Sequence, residues 1–159
     1  MRMRSLLVLV LSVSSLVACK TAPEAKPAAD AALVVALKRT PCNGRCPSYT
    51  VRVLESGAVE FNGERDTLVK GAASATLDAA ALGKLKARLE GSGFSQWKDA
   101  YLTATTVDQP GAELTFQGRT IKHSKGDETA PKELSALEDD VDSLIGTSQW
   151  VTGQGAPAL

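Results

Sequence analysis

Three residues separate Cys42 from Cys46 in the sequence Pro-Cys-Asn-Gly-Arg-Cys-Pro. Thiols at this spacing can form a disulfide, and the Asn-Gly pair between them favours a tight turn that brings the two Cα atoms within bonding range. Such a bridge closes a loop of about five residues and stabilises the fold by about 2 kcal/mol in the chain-entropy model. The first hypothesis is therefore a structural disulfide between Cys42 and Cys46.

The same two cysteines support two other hypotheses. Cys-x-x-x-Cys-Pro with a distant histidine is similar to the motif of copper-delivering assembly factors for cytochrome oxidase, and this resemblance implies copper ligation by Cys42, Cys46 and His123. Two thiolates and an imidazole suit copper. In those factors the motif opens a helix, whereas the residues after Pro47 alternate in polarity as a strand does. The other hypothesis is a redox-active dithiol, although a thioredoxin-type site has two residues between its cysteines and lies at a helix N-terminus.

The third cysteine, Cys19, ends a segment with the pattern of a secretory signal. Two arginines precede an apolar run that is shorter than the roughly 20 residues a membrane-spanning helix needs. The sequence Leu-Val-Ala-Cys, which ends at Cys19, resembles the lipobox of bacterial lipoproteins. This resemblance implies a signal peptide over residues 1–18, cleavage before Cys19 and acyl chains on that cysteine.

Several acyl chains on one residue hold a protein stably on a membrane, since each buried methylene contributes about 0.8 kcal/mol. Lys20 follows Cys19 where an Asp would signal inner-membrane retention in enterobacteria, so we expect the outer membrane, with the domain facing the periplasm. Export also places Cys42 and Cys46 in an oxidising compartment, which favours the disulfide. Residues 19–32 are rich in Ala and Pro and are predicted to form a flexible tether.

The composition of the chain is that of one globular domain. It has 159 residues, of which 43% are hydrophobic and 23% charged, enough for a single packed core. The formal net charge is zero, so the chain lacks the basic surface that nucleic-acid binding requires. Aromatic residues are only 4% of the chain, which predicts a core made mostly of Leu, Val and Ala.

Alternating polarity predicts the strands. A buried strand starts at Leu33, and β-hairpins are expected over residues 48–63 and 112–123, each with a glycine in its turn. A short additional strand is expected at 68–71. These strands predict a mostly antiparallel sheet of about five strands.

Two segments have the apolar stripe of an amphipathic helix. The first is Asp78–Glu90, followed by a glycine, and the second starts at Pro131 and ends at Gly146. We therefore predict a single α+β domain over residues 33–146, with two helices packed on one face of the sheet. Residues 147–159 are predicted to form a loose C-terminal tail.

Asp108 and His123 are the remaining candidates for a site. His123 shares a strand face with Ile121, which predicts a partly buried, hydrogen-bonded histidine, and Asp108 precedes Gln-Pro, which is typical of a turn. If the side chains of Asp108 and His123 point into one cleft, the two residues are expected to line a pocket. The acidic run 138–140 is predicted to be a solvated helix face. The chain lacks a nucleophile elbow, a phosphate loop and a paired metal motif, so no catalytic residue, metal or cofactor is assigned.

Several motifs between residues 33 and 145 together resemble a known group of proteins. They are Thr40–Tyr49, the hairpin ending at Phe61-Asn62-Gly63, Asp108-Gln109-Pro110, the strand Gly118–His123, and Ala130-Pro131 followed by Leu134, Leu137 and Glu138. The combination resembles a bacterial domain-of-unknown-function family of secreted proteins and lipoproteins. The resemblance implies an exported domain and no established activity.

These patterns predict a membrane-anchored lipoprotein of the cell envelope. Its domain is expected to be a non-enzymatic binding or structural module. Its expected partners are the membrane, through acyl chains on Cys19, and a protein of the envelope. The alternative is a copper-binding or thiol redox protein that uses Cys42 and Cys46.

Overall fold

The computed structural model describes residues 32–102 and 108–154. The predicted signal peptide, Cys19 and the tether up to residue 31 lie outside the described residues, as do residues 155–159 of the predicted tail. Among the helices of the described part, none is long and apolar enough to cross a membrane.

A sheet of seven strands is the frame of the domain, with the spatial order β4-β3-β2-β1-β6-β7-β5. Neighbouring strands run antiparallel except β5, which runs parallel to β7. The predicted α+β class is confirmed, and the sheet has seven strands rather than about five. The strands are β1 (Leu33–Thr40), β2 (Ser48–Leu54), β3 (Ala58–Arg65), β4 (Gly71–Thr76), β5 (Ala100–Tyr101), β6 (Gly111–Phe116) and β7 (Arg119–Ser124).

The sequence pattern misplaces β4 and misses β5. β4 reads Gly-Ala-Ala-Ser-Ala-Thr, and these small side chains differ too little in polarity to show an alternation. The prediction therefore put a strand at 68–71, just before the observed one. β5 has two residues, fewer than any periodicity needs. β1 in turn continues past its apolar run to Thr40, which places Arg39 inside the strand.

The described residues also form three α-helices, α1 (Ala79–Glu90), α2 (Lys132–Ile145) and α3 (Ser148–Val151). Asp78 caps α1, because its Oδ1 accepts the Ala81 N–H at 2.7 Å. Gly146 ends α2 with a φ of 77°, and this left-handed conformation lets its N–H bond to the carbonyl oxygens of Asp142 and Ser143. Both long helices end at the glycines that the sequence indicates.

One face of the sheet, here called the inner face, packs against the helices. On β1, Leu37 lies opposite Val51 of β2 and Leu114 of β6, and all three are buried. α1 and α2 contact each other and bury their apolar stripes in the same cluster. Both long helices therefore pack on one face, as predicted.

The opposite face of the sheet, here called the outer face, carries polar side chains. Lys38 lies 3.8 Å from Glu113, and Arg52 lies 2.8 Å from Glu60. All four side chains are about one-third to one-half exposed, so these ion pairs contribute little to stability.

The segment predicted to be a loose tail begins with α3 and contributes to the core. Trp150 is only 7% exposed and its ring stacks on Phe61 at a centroid distance of 4.9 Å. The carbonyl oxygens of Trp150 and Val151 accept the N–H groups of Val69 and Leu68 at 2.9 and 3.0 Å. The packed domain therefore extends past residue 146, because the large aromatic side chain of Trp150 is buried against Phe61 of β3.

Candidate functional site

The loop between β1 and β2 contains the predicted disulfide. Cys42 and Cys46 are bonded, with their Cα atoms 5.6 Å apart. Arg65 of β3 holds this loop, because its Nη2 donates to the carbonyl oxygens of Cys42 and Gly44 at 2.8 and 3.0 Å. The bond and the arginine together fix the path of the chain from β1 into β2.

Asp108 lies beside this loop and is exposed. Its carbonyl oxygen accepts the Asn43 N–H at 3.3 Å. The imidazole of His123 is buried, and its Nδ1 faces Glu138 of α2. Asp108 thus contacts the disulfide loop and His123 contacts α2, and a pocket shared by the two residues stays a prediction.

A pocket of about 230 Å³ opens next to the disulfide loop. Cys46, Pro47 and Tyr49 form part of its wall, and Val151 of α3 closes another side. Arg39, Arg45 and Lys125 also line the pocket, and the two exposed cations, Arg45 and Lys125, lie at its rim. We call this the disulfide pocket. It combines apolar walls with positive charges, and it is smaller than the roughly 300–1,000 Å³ typical of sites for drug-sized ligands.

Arg39 forms the floor of the disulfide pocket. It lies opposite Tyr49 in the sheet and points to the inner face, so its guanidinium reaches α2. Nε and Nη2 both donate to Asp142 Oδ2, at 2.9 and 2.8 Å. Nη1 donates to Glu138 Oε2 at 3.2 Å, and Nη2 also donates to Asp139 Oδ1 at 2.8 Å. One cation from the sheet thus binds three carboxylates of one helix.

Asp142 receives two further hydrogen bonds. The Tyr49 hydroxyl donates to its Oδ1 at 2.7 Å, and the Thr147 hydroxyl donates to the same oxygen at 2.9 Å. Hydrogen bonds to a charged acceptor are about twice as strong as neutral ones. Asp142 therefore joins β1, β2 and the start of α3 to α2 at a single carboxylate.

His123 and Glu138 extend the network to β7. His123 Nδ1 lies 3.0 Å from Glu138 Oε1, and the two side chains are 3% and 0% exposed. Glu138 is thereby bound on both oxygens, by Arg39 on one side and His123 on the other. The Arg39 network, as we call it, comprises Arg39, Tyr49, His123, Glu138, Asp139, Asp142 and Thr147.

The charges of the network fix the protonation of two of its members. Burial alone would lower the pKa of Arg39, but the negative charges of Asp142 and Glu138 outweigh it and raise that pKa above its ordinary value. Burial and the neighbouring Asp142 raise the pKa of Tyr49 above its ordinary value of 10. Arg39 therefore stays charged and Tyr49 stays a hydrogen-bond donor at any pH below about 10.

A family model of a domain of unknown function (DUF6438) matches residues 33–145. The chain belongs to this DUF6438 family. Curated proteins gave no significant match. The match begins at the first residue of β1 and ends at the last residue of α2, so it covers the sheet, the disulfide loop and the acidic face of α2.

In the DUF6438 domain, the three residues of the copper hypothesis, Cys42, Cys46 and His123, contact protein groups. The sulfur atoms of Cys42 and Cys46 are bonded to each other, and the Nδ1 atom of His123 faces Glu138. Within residues 32–102 and 108–154, no group of three or more His, Cys, Asp or Glu side chains is arranged to hold a metal ion. Copper ligation by the two sulfur atoms would require reduction of the disulfide.

The acidic run of α2 in the DUF6438 domain differs from its prediction as a solvated face. Glu138 is fully buried, whereas Asp139 is 60% exposed. The helical spacing indicates that Glu138 is on the buried face of α2, because position 138 follows Leu134 by four residues and precedes Val141 by three. Arg39 is likewise in phase with Leu37 along β1, which places it on the inner face. A cation and an anion at core positions on separate elements indicate a buried ion pair.

Proposed function

We propose that this DUF6438 protein is a lipoprotein of the cell envelope whose domain binds a ligand in the disulfide pocket. The lipobox at Cys19 and the Ala- and Pro-rich tether after it support the anchoring, since β1 starts directly at the end of that tether. Acyl chains on Cys19 attach the protein to the outer membrane, and the domain faces the periplasm. It acts as a non-enzymatic binding module with a partner from the envelope.

One observation carries the binding proposal: the walls of the disulfide pocket are fixed from both sides. The disulfide and Arg65 hold the loop, and the Arg39 network holds the floor. A site that is rigid before binding loses less conformational entropy when a ligand enters. The ionisable side chains of the floor donate to and accept from each other, so their arrangement supports a shaped surface rather than proton transfer to a substrate.

The charges at the pocket rim indicate the chemistry of the ligand. Arg39 is engaged by three carboxylates, which leaves Arg45 and Lys125 as the cations that face an incoming group. Arg45 is exposed, and Lys125 lies 3.7 Å from Asp139. Beside them are Pro47 and Tyr49. We therefore propose a ligand with an apolar body and an anionic group.

Anilinonaphthalenesulfonate, an apolar anionic dye, is a direct probe of this pocket. The double variant Arg45→Glu/Lys125→Glu is expected to bind the dye about three- to tenfold more weakly, because two attractive rim charges become repulsive. The matched control is Lys38→Glu/Arg52→Glu, which reverses one lysine and one arginine on the outer face. Fluorescence titration gives the affinities, and equal weakening in both double variants would contradict the proposal.

Anchoring is tested on the full chain expressed in a bacterium. Cys19→Ser is expected to abolish labelling by a palmitate analogue and to move the protein from the membrane fraction to the soluble fraction, because the acyl chains have no other attachment point. The matched control is Cys42→Ser/Cys46→Ser, which removes two thiols and leaves Cys19. It should be labelled like the unchanged chain. Retention of Cys19→Ser in the membrane fraction would rule out the lipid anchor.

A further inference from the structure

β4 forms an open edge of the sheet. It is the last strand in the spatial order, and no other strand of the described part pairs with its outer side. Its sequence, Gly-Ala-Ala-Ser-Ala-Thr, has neither the proline nor the charged residues by which proteins usually protect such an edge. At the opposite end of the sheet, β5 has only two residues. β4 is therefore the edge that can accept another strand.

A groove of about 330 Å³ lies on the helix side of β4, near the C-terminal end of the strand. Ala75 and Leu77 form its sheet side, and Ala81, Leu144 and Ile145 form its helix side. These side chains are apolar and small to medium in size, and the polar residues Thr76, Asp78, Ser143 and Gln149 complete the lining together with Gly146. The groove can therefore receive an apolar side chain from whatever pairs with β4.

An apolar side chain of this kind stands at the other end of β4. Leu68, in the loop before the strand, is 65% exposed, the most of any large apolar residue described. A Cβ atom at Gly153 would lie 3.0 Å from Leu68 Cδ2, so this leucine is beside the end of α3, on the helix side. The exposed leucine and the groove thus share one side of the sheet and flank opposite ends of β4.

Charges flank β4 in a complementary way. Lys70 immediately precedes the strand, and Asp78 follows it by two residues. When two β4 strands pair antiparallel with Ser74 opposite Ser74, Lys70 of each copy lies opposite Asp78 of the other. Charges at the rim of an interface contribute modestly to affinity but select register and orientation.

We propose that β4 is a dimerisation edge, at which two copies of this chain pair antiparallel about a twofold axis at Ser74. The pairing joins the two sheets and brings Leu68 of each copy toward the groove of the other. A twofold interface requires each surface to be complementary to itself. The edge at β4 is complementary to itself in three respects. Its backbone can pair with an identical strand, its Leu68 matches the groove, and Lys70 matches Asp78.

Disulfide trapping tests both the dimer and its register. In the proposed pairing the two Ser74 Cα atoms lie roughly 4.5–5.5 Å apart, inside the range that a disulfide spans. Purified Ser74→Cys, in a chain from Lys20 to Leu159 that keeps the whole described domain, should form a covalent dimer under mild oxidation. Thr76→Cys is the matched control, exposed on the same face of the same strand. It should stay monomeric, because its two copies lie about 13 Å apart in this register.

Sedimentation of the same chain without added cysteines measures the affinity. Leu68→Asp is expected to weaken dimerisation about tenfold or more, since each copy loses one buried leucine contact. The matched control is Leu102→Asp, which charges another exposed leucine, 55% exposed and next to β5. Three results would overturn the proposal: a chain that stays monomeric at all concentrations, equal trapping of the two cysteine variants, or equal weakening by both leucine variants. Pairing of β4 with a strand of a different protein would also overturn it.

Discussion

Replacing Arg39 with methionine is expected to lower the free energy of unfolding by about 3–5 kcal/mol, the usual cost of leaving a buried charge without its partner. The guanidinium donates four hydrogen bonds to three carboxylates of α2. Without it, Glu138 remains fully buried with only His123 for a partner, and Asp142 keeps only neutral donors. Domains of this size are stable by about 5–15 kcal/mol, so the variant should be close to unfolding.

A matched variant separates the buried pair from the general effect of removing an arginine. Arg52→Met takes an arginine from the neighbouring strand, where its ion pair with Glu60 is on the outer face and both side chains are over 40% exposed. Its expected cost is at most about 1 kcal/mol. Methionine keeps the apolar stem at both positions, so the packing of the stem is retained in both variants. Urea denaturation followed by circular dichroism gives both values.

A second change tests the cause of the loss. Glu138→Gln in the Arg39→Met background removes one of the uncompensated charges, and the glutamine can still bond to His123. We expect the double variant to be more stable than Arg39→Met alone, although the same Glu138→Gln change should destabilise the unchanged protein. Equal costs for Arg39→Met and Arg52→Met would contradict the assignment of Arg39 as the centre of a buried network.

The pattern of the sequence was sufficient for the local parts of this domain. Alternation located both hairpins because their inner faces are mostly Val, Leu, Ile and Phe, and glycine ended both long helices where the chain takes a turn. The Asn-Gly turn predicted the proximity of Cys42 and Cys46, which depends only on the intervening residues. Each of these features depends only on residues of the same hairpin, helix or loop.

The Arg39 network could not be predicted in the same way. Arg39 and Glu138 each lie in phase with apolar neighbours, but their contact joins residues 99 apart in sequence. It depends on which strand lies under which turn of α2, and that is a property of the whole packing. The disulfide pocket has the same origin, since its lining comes from β1, β2, α3 and the loops between strands. The sequence therefore indicated the disulfide loop of this pocket but not the Arg39 network beneath it.

Replacing Trp150 of α3 with alanine is expected to lower the free energy of unfolding by about 3–5 kcal/mol. Trp150 stacks on Phe61, whose ring lies 5.3 Å from that of Tyr49, so the indole packs against the neighbour of one member of the Arg39 network. α3 also supplies two carbonyl acceptors to the loop before β4. A cavity at this position would loosen both contacts.

The other tryptophan of the chain, Trp97, is the matched control. It is only partly buried and touches the core through Phe94 at a ring distance of 6.2 Å, so Trp97→Ala should cost clearly less. Far-UV circular dichroism is the appropriate signal, because fluorescence changes when either indole is removed. Since Trp150 lies beyond the residues that match the family, a cost no larger than that of Trp97→Ala would mean that residues 33–146 hold the domain together without α3. A larger cost would mean that the stable unit of this chain extends at least to residue 151.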